Sequence, residues 1–289
     1  MLSDELRKRL TAMSGGPPST PGYGAPDSPA LRQRLTQAAI ALETRHARVP
    51  PPATLEALCG GHPVETPEGV FYLIEPSSET LHPNADGIVR HHLRLCPGAA
   101  DHLELPLPDY RPLCAVAPER LLYVDIETTG FTSVPLFLIG LMYVEDDRLR
   151  VSQLLARDYS EEAAVLYHLA ERLDRYDCLI TFNGKTFDMP YIRDRYFASA
   201  IRCRFPTKHL DLLGLSRRRW RKKLPDCRLQ TLERWVCGRN RNGDIPGRDI
   251  PETYRLFVQT QNAGLIKPIL DHNALDLITM GDLLVRLLE

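Results

Sequence analysis

The chain has 289 residues, of which 43% are hydrophobic and 25% charged, with a formal net charge of -1 at pH 7. This length accommodates one large domain, or a smaller domain with an attached module. No apolar run reaches membrane-spanning length, and the start of the chain lacks the features of a signal peptide. Seven cysteines without a Cys-x-x-Cys pair argue against a disulfide framework and a zinc site, and predict a reducing cytoplasm.

The N-terminal part of the chain differs in composition from the rest, because 17 of the 24 prolines lie in the first 120 positions. Residues 15–24 are rich in glycine and proline, which predicts a flexible linker. Two apolar stretches, residues 70–74 and 88–89, predict a small antiparallel sheet. We therefore predict a partly flexible region with a small β module over residues 1–118, followed by a second domain over residues 119–289.

From residue 119 onward, the sequence predicts strands and helices in succession. Strands are predicted over residues 121–126, 135–144, 149–156, 178–182 and 207–212. Helices are predicted over residues 160–175, 189–197 and 268–289. Three consecutive strands, followed by alternating helices and strands, indicate an α/β fold with a mixed sheet and helices packed on it.

Asp125 and Glu127 lie two positions apart at the end of the first of these strands, so their side chains project from the same face. On its own this pair is weak support for a site, because charged residues often end a strand in solvent. Thr128 and Thr129 follow in a polar turn that ends at Gly130. Their hydroxyl groups and the backbone N–H groups of the turn are candidates for contact with a nucleotide.

Asp188 follows the strand predicted over residues 178–182, after a short loop. It either caps the next helix or supplies a third carboxylate to a site shared with Asp125. In the second interpretation, Asn183 and Lys185 of the loop offer the substrate a hydrogen bond and a positive charge.

His272 and Asp276 lie four positions apart on the predicted C-terminal helix and therefore share one of its faces. They either form an ordinary surface pair or contribute to the same site. In the second case Asp276 is a fourth ligand and His272 is a general base, because an imidazole titrates near neutral pH.

These carboxylates lie beside apolar segments, where an unpaired charge is costly unless a cation compensates it. Hard oxygen ligands of this kind suit Mg²⁺ or Mn²⁺, and a pair of such ions is a common device for cutting phosphodiesters. The sequence therefore predicts a metal-dependent nuclease. Two ions would be held by four residues, Asp125, Glu127, Asp188 and Asp276.

The ordered motifs Asp-x-Glu-Thr, Asn-x-x-x-Phe-Asp and His-x-x-x-Asp resemble the DEDD (DnaQ-like) 3′–5′ exonuclease superfamily, and most closely its YprB-type ribonuclease-H-like branch. The resemblance covers residues 118–289. It implies a ribonuclease-H-like mixed sheet with two metal ions at the ends of its central strands, and 3′–5′ exonuclease activity on DNA or RNA. One spacing departs from the family. A histidine base usually precedes the last aspartate by five residues, whereas His272 precedes Asp276 by four.

A basic segment over residues 201–241 contains thirteen Lys or Arg and three acidic residues. Its densest part begins with Arg217, Arg218, Arg219 and Trp220. Either this part is a solvated helix face, or it binds nucleic acid through phosphate contacts and base stacking. Further positive charges that could extend it are Arg228, Arg239 and Arg241.

Two functions remain open for the predicted fold. The first is the nuclease, and the second is a catalytically inactive module that binds nucleic acid. The presence of all four carboxylates favours the nuclease, because binding alone does not require them. Nucleic acid is the predicted partner in both cases and no membrane contact is expected, while protein partners and the choice between DNA and RNA stay undetermined.

Overall fold

In a computed structural model of the chain, the described residues are 50–81, 85–94, 113, 116–130, 134–241 and 243–288. The predicted linker at residues 15–24 lies outside them. Within these ranges, no helix has the length and hydrophobicity needed to cross a membrane. The five cysteines that they contain are free thiols.

Seven strands of the described residues form one sheet. They are β1 (His62–Thr66), β2 (Gly69–Ile74), β3 (Leu121–Thr128), β4 (Leu136–Glu145), β5 (Arg148–Leu155), β6 (Cys178–Thr181) and β7 (Lys208–Asp211). Their order across the sheet is β1-β2-β5-β4-β3-β6-β7. Strands β3, β6 and β7 run parallel to one another, and the other neighbouring pairs are antiparallel. The structure confirms the predicted mixed α/β sheet.

The helices of the described ranges cover both faces of the sheet. They are α1 (Leu55–Cys59), α2 (Ser78–Leu81), α3 (Ala85–Arg94), α4 (Glu162–Leu173), α5 (Asp188–Ala198), α6 (Leu212–Trp220), α7 (Leu229–Trp235), α8 (Ile250–Thr260) and α9 (Ala263–Leu288). Helices α4, α5 and α8 contribute to one hydrophobic core, and α3 and α6 contribute to the other. Helix α9 contributes to both hydrophobic cores, with residues 263–270 in the first core and residues 274–287 in the second.

The predicted small β module joins this sheet. β1 pairs with β2, and β2 pairs with β5 through Tyr72 and Leu155. The compact unit that contains the sheet begins at Pro50, whereas the sequence predicted a boundary at residue 118. The difference arises because main-chain hydrogen bonds carry β2 directly onto the edge of the sheet formed by the later strands.

The strand predicted at residues 88–89 is wrong, because both residues lie in α3. Ala85, Ile88 and Val89 are 4%, 1% and 3% exposed. Their spacing of three and four positions places them on one buried face of a helix. Two apolar residues were too short a pattern to distinguish this face from a strand.

The carboxyl ends of the parallel strands define one edge of the sheet. Leu121 is level with Cys178 and Tyr123 with Ile180, so the chain that follows β6 emerges beside the last residues of β3. Ends of parallel strands at a common edge are where α/β proteins place their sites. The register therefore brings the Asp188 loop to Asp125 and Glu127.

A buried ion pair ties α4 and α5 to the start of β4. The Glu162 carboxylate accepts hydrogen bonds from Arg195 Nε at 2.7 Å, from Arg195 Nη2 at 2.6 Å and from the Leu136 N–H at 2.7 Å. Its side chain is 8% exposed. Glu162 therefore joins three elements that surround the core.

We expect Arg195→Ala to lower the free energy of unfolding by about 3 kcal/mol, because it leaves the buried Glu162 charge without its partner. Arg120→Ala is the matched control, since Arg120 and Asp177 are 44% and 50% exposed; it should cost less than about 1 kcal/mol. Urea unfolding followed by circular dichroism measures both. Equal losses in the two variants would show that the buried Glu162–Arg195 pair stabilises the fold no more than the exposed Arg120–Asp177 pair does.

Candidate metal centre

Four carboxylates from three distant segments of the chain interact at the edge of the sheet. Burial raises the pKa of Asp125 well above its usual value, and the negative charges of Asp276, Glu127 and Asp188 raise it further. Burial also raises the pKa of Glu127, as do Asp276 and Asp188. The structure therefore brings the four predicted ligands into one acidic cluster.

The loop before Asp188 is fixed by Asp211. The Asp211 carboxylate accepts hydrogen bonds from the N–H groups of Asn183 at 2.9 Å, Lys185 at 3.0 Å and Leu213 at 3.0 Å. Within this loop, Asn183 has a φ of 68°. Asp211, at the end of β7, thereby orders the turn that places Asp188 in the cluster. There, the Ile126 backbone hydrogen-bonds the Asp188 carboxylate.

Asn273, which the sequence analysis did not select, orients Asp125. Its Nδ2 donates to Asp125 Oδ2 at 2.8 Å, and its Oδ1 accepts from Gln153 Nε2 at 2.9 Å. Asn273 is fully buried, and a Cβ at Gly140 would lie 2.2 Å from its Oδ1. Glycine at position 140 therefore lets α9 approach the sheet closely enough for Asn273 to reach Asp125.

His272 lies beside the cluster with one ring nitrogen held by Asp244. The distance between His272 Nδ1 and Asp244 Oδ1 is 2.8 Å. On the other side of the ring, Nε2 is 3.5 Å from Asp276 Oδ2 and 3.9 Å from Glu127 Oε1. Because an ionised carboxylate can only accept a hydrogen bond, Asp244 places the proton of a neutral imidazole on Nδ1. The lone pair of Nε2 then faces the carboxylates.

Arg241 brings a positive charge to the same place. Its Nη2 donates to Asp276 Oδ1 and its Nε donates to Glu233, while Asp244 lies 3.4 Å from Nη1. Its side chain is 7% exposed. Arg239 is 20% exposed, and its Nη2 donates to the buried Thr279 hydroxyl at 2.9 Å. Both arginines line a cleft of about 300 Å³ with Arg234, and their contacts with buried groups leave a role in the basic patch a prediction.

The donor set fits a hard divalent cation. Burial raises the pKa values of Asp125, Glu127 and Asp188, and the negative charge of Asp276 raises all three further, so a positive charge among them would relieve repulsion. Carboxylate oxygens are the ligands that Mg²⁺ and Mn²⁺ prefer. In the described part of the chain, no group of three or more His, Cys, Asp or Glu side chains is already arranged to hold a metal ion.

The cluster opens into a cleft of about 500 Å³. Asp125 and Asp276 line it together with Asn183 and Arg217, two of the predicted substrate-binding residues, and with Arg228. The cleft thus has anionic groups on one side and guanidinium groups on another. A negatively charged backbone can be held there by arginine while its phosphorus lies near the carboxylates.

The other predicted substrate-binding residues lie in varied surroundings. Thr128 donates its hydroxyl to Gly130 O at 2.8 Å, and Thr129 lines a separate cleft of about 550 Å³ with Arg248 and Arg255. The structure exposes Lys185 and Arg218. Their roles toward substrate stay predictions.

Arg219 and Trp220 are tied to the body of the protein. Arg219 Nη1 donates to Leu287 O at 3.2 Å, near the end of α9. Trp220 is half-buried against the second core, with the Arg219 guanidinium 5.6 Å from its ring centroid. If Arg219 or Trp220 binds substrate, its side chain has to do so while keeping these contacts or after breaking them.

The chain belongs to the RNase_H superfamily, whose family model matches residues 122–288. Over 175 residues it is 33% identical to the uncharacterized protein YprB of Bacillus subtilis (strain 168); the match covers 58% of this chain and 42% of YprB, so less than half of the relative is represented. A family B DNA polymerase from the hyperthermophilic archaeon Pyrobaculum calidifontis is similar over 56% of this chain and 24% of the polymerase, with 16% identity and a TM-score of 0.43. The ribonuclease-H-like fold and the resemblance to YprB are confirmed.

The raised pKa of Asp188 predicts how the metal-free protein responds to pH. Its value is about 7 in the folded chain against an ordinary 3.8, so the folded state keeps a proton that the unfolded state has released. The resulting stability is present below the ordinary value and is lost as pH rises through about 7. With chelator, Asp188→Asn should therefore raise Tm by a few degrees at about pH 8, and by less at about pH 5.

Asp194→Asn is the matched control, because Asp194 lies on the same helix but is exposed. Its Tm should follow that of the unaltered protein at both pH values. Thermal unfolding by circular dichroism measures the difference. A lower Tm for Asp188→Asn at the higher pH would contradict the repulsion inferred here.

Proposed function

We propose that this protein is a divalent-metal-dependent nuclease that hydrolyses phosphodiester bonds of DNA or RNA, acting as a 3′–5′ exonuclease. The observation that carries the proposal is the convergence of Asp125, Glu127, Asp188 and Asp276 at one edge of a ribonuclease-H-like sheet. A structural role does not explain four carboxylates gathered where solvent is scarce, because their desolvation and mutual repulsion destabilise the fold when they are ionised. The 3′–5′ direction is supported by the resemblance of the three sequence motifs to DEDD exonucleases.

The four carboxylates would hold Mg²⁺ or Mn²⁺, with two ions as the proposed number. Such ions, when bound, lower the pKa of water and stabilise the charge that develops on the leaving oxygen. The chain's own contribution begins with Asn273, which holds Asp125 in place by a 2.8 Å hydrogen bond. Asp211 does the same for the loop that carries Asp188.

His272 is the proposed general base. Its Nε2 faces Glu127 and Asp276, at 3.9 and 3.5 Å, and Asp244 holds its Nδ1 at 2.8 Å. With the proton on Nδ1, the free lone pair of Nε2 can accept a proton from water beside the carboxylates. This arrangement supports the base role although the spacing from His272 to Asp276 departs from that of the histidine-containing family members.

Substrate binding in the proposal uses the cleft beside the cluster. Arg217 and Arg228 line it and neutralise phosphates, and Asn183 offers an amide to the sugar or phosphate. The alternative function, a module that binds nucleic acid without cleaving it, uses the same cleft but leaves the acidic cluster without a purpose. The two functions differ in one measurable respect, which is metal-dependent hydrolysis.

Asp125→Asn and Asp188→Asn should each lower metal-dependent cleavage at least about 100-fold, because each removes a proposed ligand charge. The measurement is digestion of DNA and RNA oligonucleotides labelled at the 3′ or 5′ end, with Mg²⁺, Mn²⁺ or chelator. Both variants should stay folded, since each relieves repulsion. Unaltered activity in either variant would remove its ligand role, and inactivity of the unsubstituted chain with both metals would favour the binding module.

Arg217→Gln should weaken binding of an oligonucleotide and reduce the slope of log K against log salt concentration by about 1. Arg148→Gln is the control, because Arg148 pairs with Glu145 at the end of the sheet away from the cluster. Fluorescence anisotropy in chelator, over a series of salt concentrations, measures both variants. An unchanged slope for Arg217→Gln would show that this arginine lies outside the path of the nucleic acid.

A further inference from the structure

Trp235 is an exposed tryptophan on the short helix α7. The chain has two tryptophans; Trp220 is half-buried, whereas Trp235 is 60% exposed. The guanidinium of Arg234 lies 5.5 Å from the centroid of the Trp235 ring. An indole in water beside a guanidinium offers a flat surface with positive charge, which suits a nucleobase next to its phosphate.

Helix α7 places this pair close to the acidic cluster. Arg228 and Leu229, at the start of the helix, line the cleft that contains Asp125 and Asp276. Trp235 follows Leu229 by six residues, which is about 9 Å along a helix axis. Because six residues also turn about 240° around the axis, a strand held in the cleft reaches the indole by continuing around the helix.

Side chains of α7 also fix the helix to the catalytic region. Gln230 Nε2 donates to Asp244 Oδ2 at 2.9 Å, and Glu233 accepts from Arg241. Asp244 in turn holds His272, and Arg241 holds Asp276. The position of Trp235 is thus linked by hydrogen bonds to the groups proposed to perform hydrolysis.

Arg234 reaches toward the same region from the other side of the helix. It lines a second cleft, of about 300 Å³, together with Gln230, Arg241 and Asp244. With Arg217 and Arg228 in the first cleft, guanidinium groups lie on both sides of α7. Glu233 and Asp244 of the second cleft are paired with Arg241. The exposed guanidinium of Arg234 beside Trp235 therefore suits an anionic partner.

The surroundings of Trp235 favour nucleic acid over an apolar protein surface. The other large hydrophobic side chains that are exposed among the described residues, Leu58, Tyr159, Phe187 and Phe197, belong to other parts of the chain. Among the described residues, none of these side chains lies on α7, so the helix itself presents no wide apolar patch of the kind that marks a protein interface. A single aromatic ring among arginines is the arrangement found in proteins that bind single strands.

We propose that Trp235, with Arg234, is a stacking site for an unpaired base of the strand whose backbone lies in the cleft beside Asp125 and Asp276. The proposal rests on the proposed function and adds a substrate class, a nucleic acid with an unpaired segment next to the bond that is cut. A base inside a duplex already stacks on its neighbours, so a single indole can accept a base only where the strand is unpaired.

The test uses the full chain carrying Asp125→Asn, so that binding is measured without cleavage. In fluorescence anisotropy with labelled oligothymidylate or oligouridylate, adding Trp235→Ala should weaken binding about 5- to 100-fold, the effect of losing one stacked base. Trp235→Phe should retain most of the affinity, because a phenyl ring also stacks. Phe197→Ala is the matched control, since Phe197 is 91% exposed on α5; it should leave affinity unchanged.

A blunt duplex of the same length completes the design, and Trp235→Ala should change its affinity much less than that of the single strand. Equal loss on duplex and single strand, equal loss in Trp235→Phe and Trp235→Ala, or no loss in Trp235→Ala would each overturn the stacking site. These results leave the nuclease proposal intact if the unsubstituted chain cleaves with metal and the Asp125→Asn chain does not. Absence of both cleavage and binding in the unsubstituted chain would overturn the proposed function itself.

Discussion

The repulsion among four partly buried carboxylates is the constraint on which the rest of this site depends. Burial raises the pKa values of Asp125, Glu127 and Asp188, and the negative charge of Asp276 raises all three further, so the proximity of these four groups is costly in the absence of cations. The fold holds them together through β3, the loop after β6 and helix α9. In the proposed function, bound divalent cations offset this cost.

The groups around the cluster each restrain one of its members. Asn273 fixes Asp125, and Gly140 leaves room for that contact because it has no side chain. Asp211 orders the turn before Asp188. Arg241 pairs with Asp276 and compensates part of the charge. The acidic residues are thus held at defined positions by hydrogen bonds from neighbouring elements, which is what a preorganised site requires.

Helix α7 connects this chemistry with the binding surface. Its first turn lines the cleft beside the carboxylates, its middle contacts Asp244 and Arg241, and its last residue is the exposed Trp235. Arginines occur on both sides of the helix in the two clefts. The proposed binding and the proposed hydrolysis therefore share one short element, which would place a strand bound along α7 close to the acidic cluster.

The sequence by itself determined the order of the five strands after residue 119, three of the helices that accompany them and the identity of the four carboxylates, because these depend on local spacing and on short motifs. The separate helices α6, α7 and α8 were not resolved by the pattern. Tertiary structure decided which distant residues hydrogen-bond to the site residues. Asn273 and Asp244 reach Asp125 and His272 across 148 and 28 positions of sequence, and Ile88 packs as part of a helix face. The exposure of Trp235 and the burial of Arg241 were also decided by packing, because residue type alone does not tell which side of an element is covered.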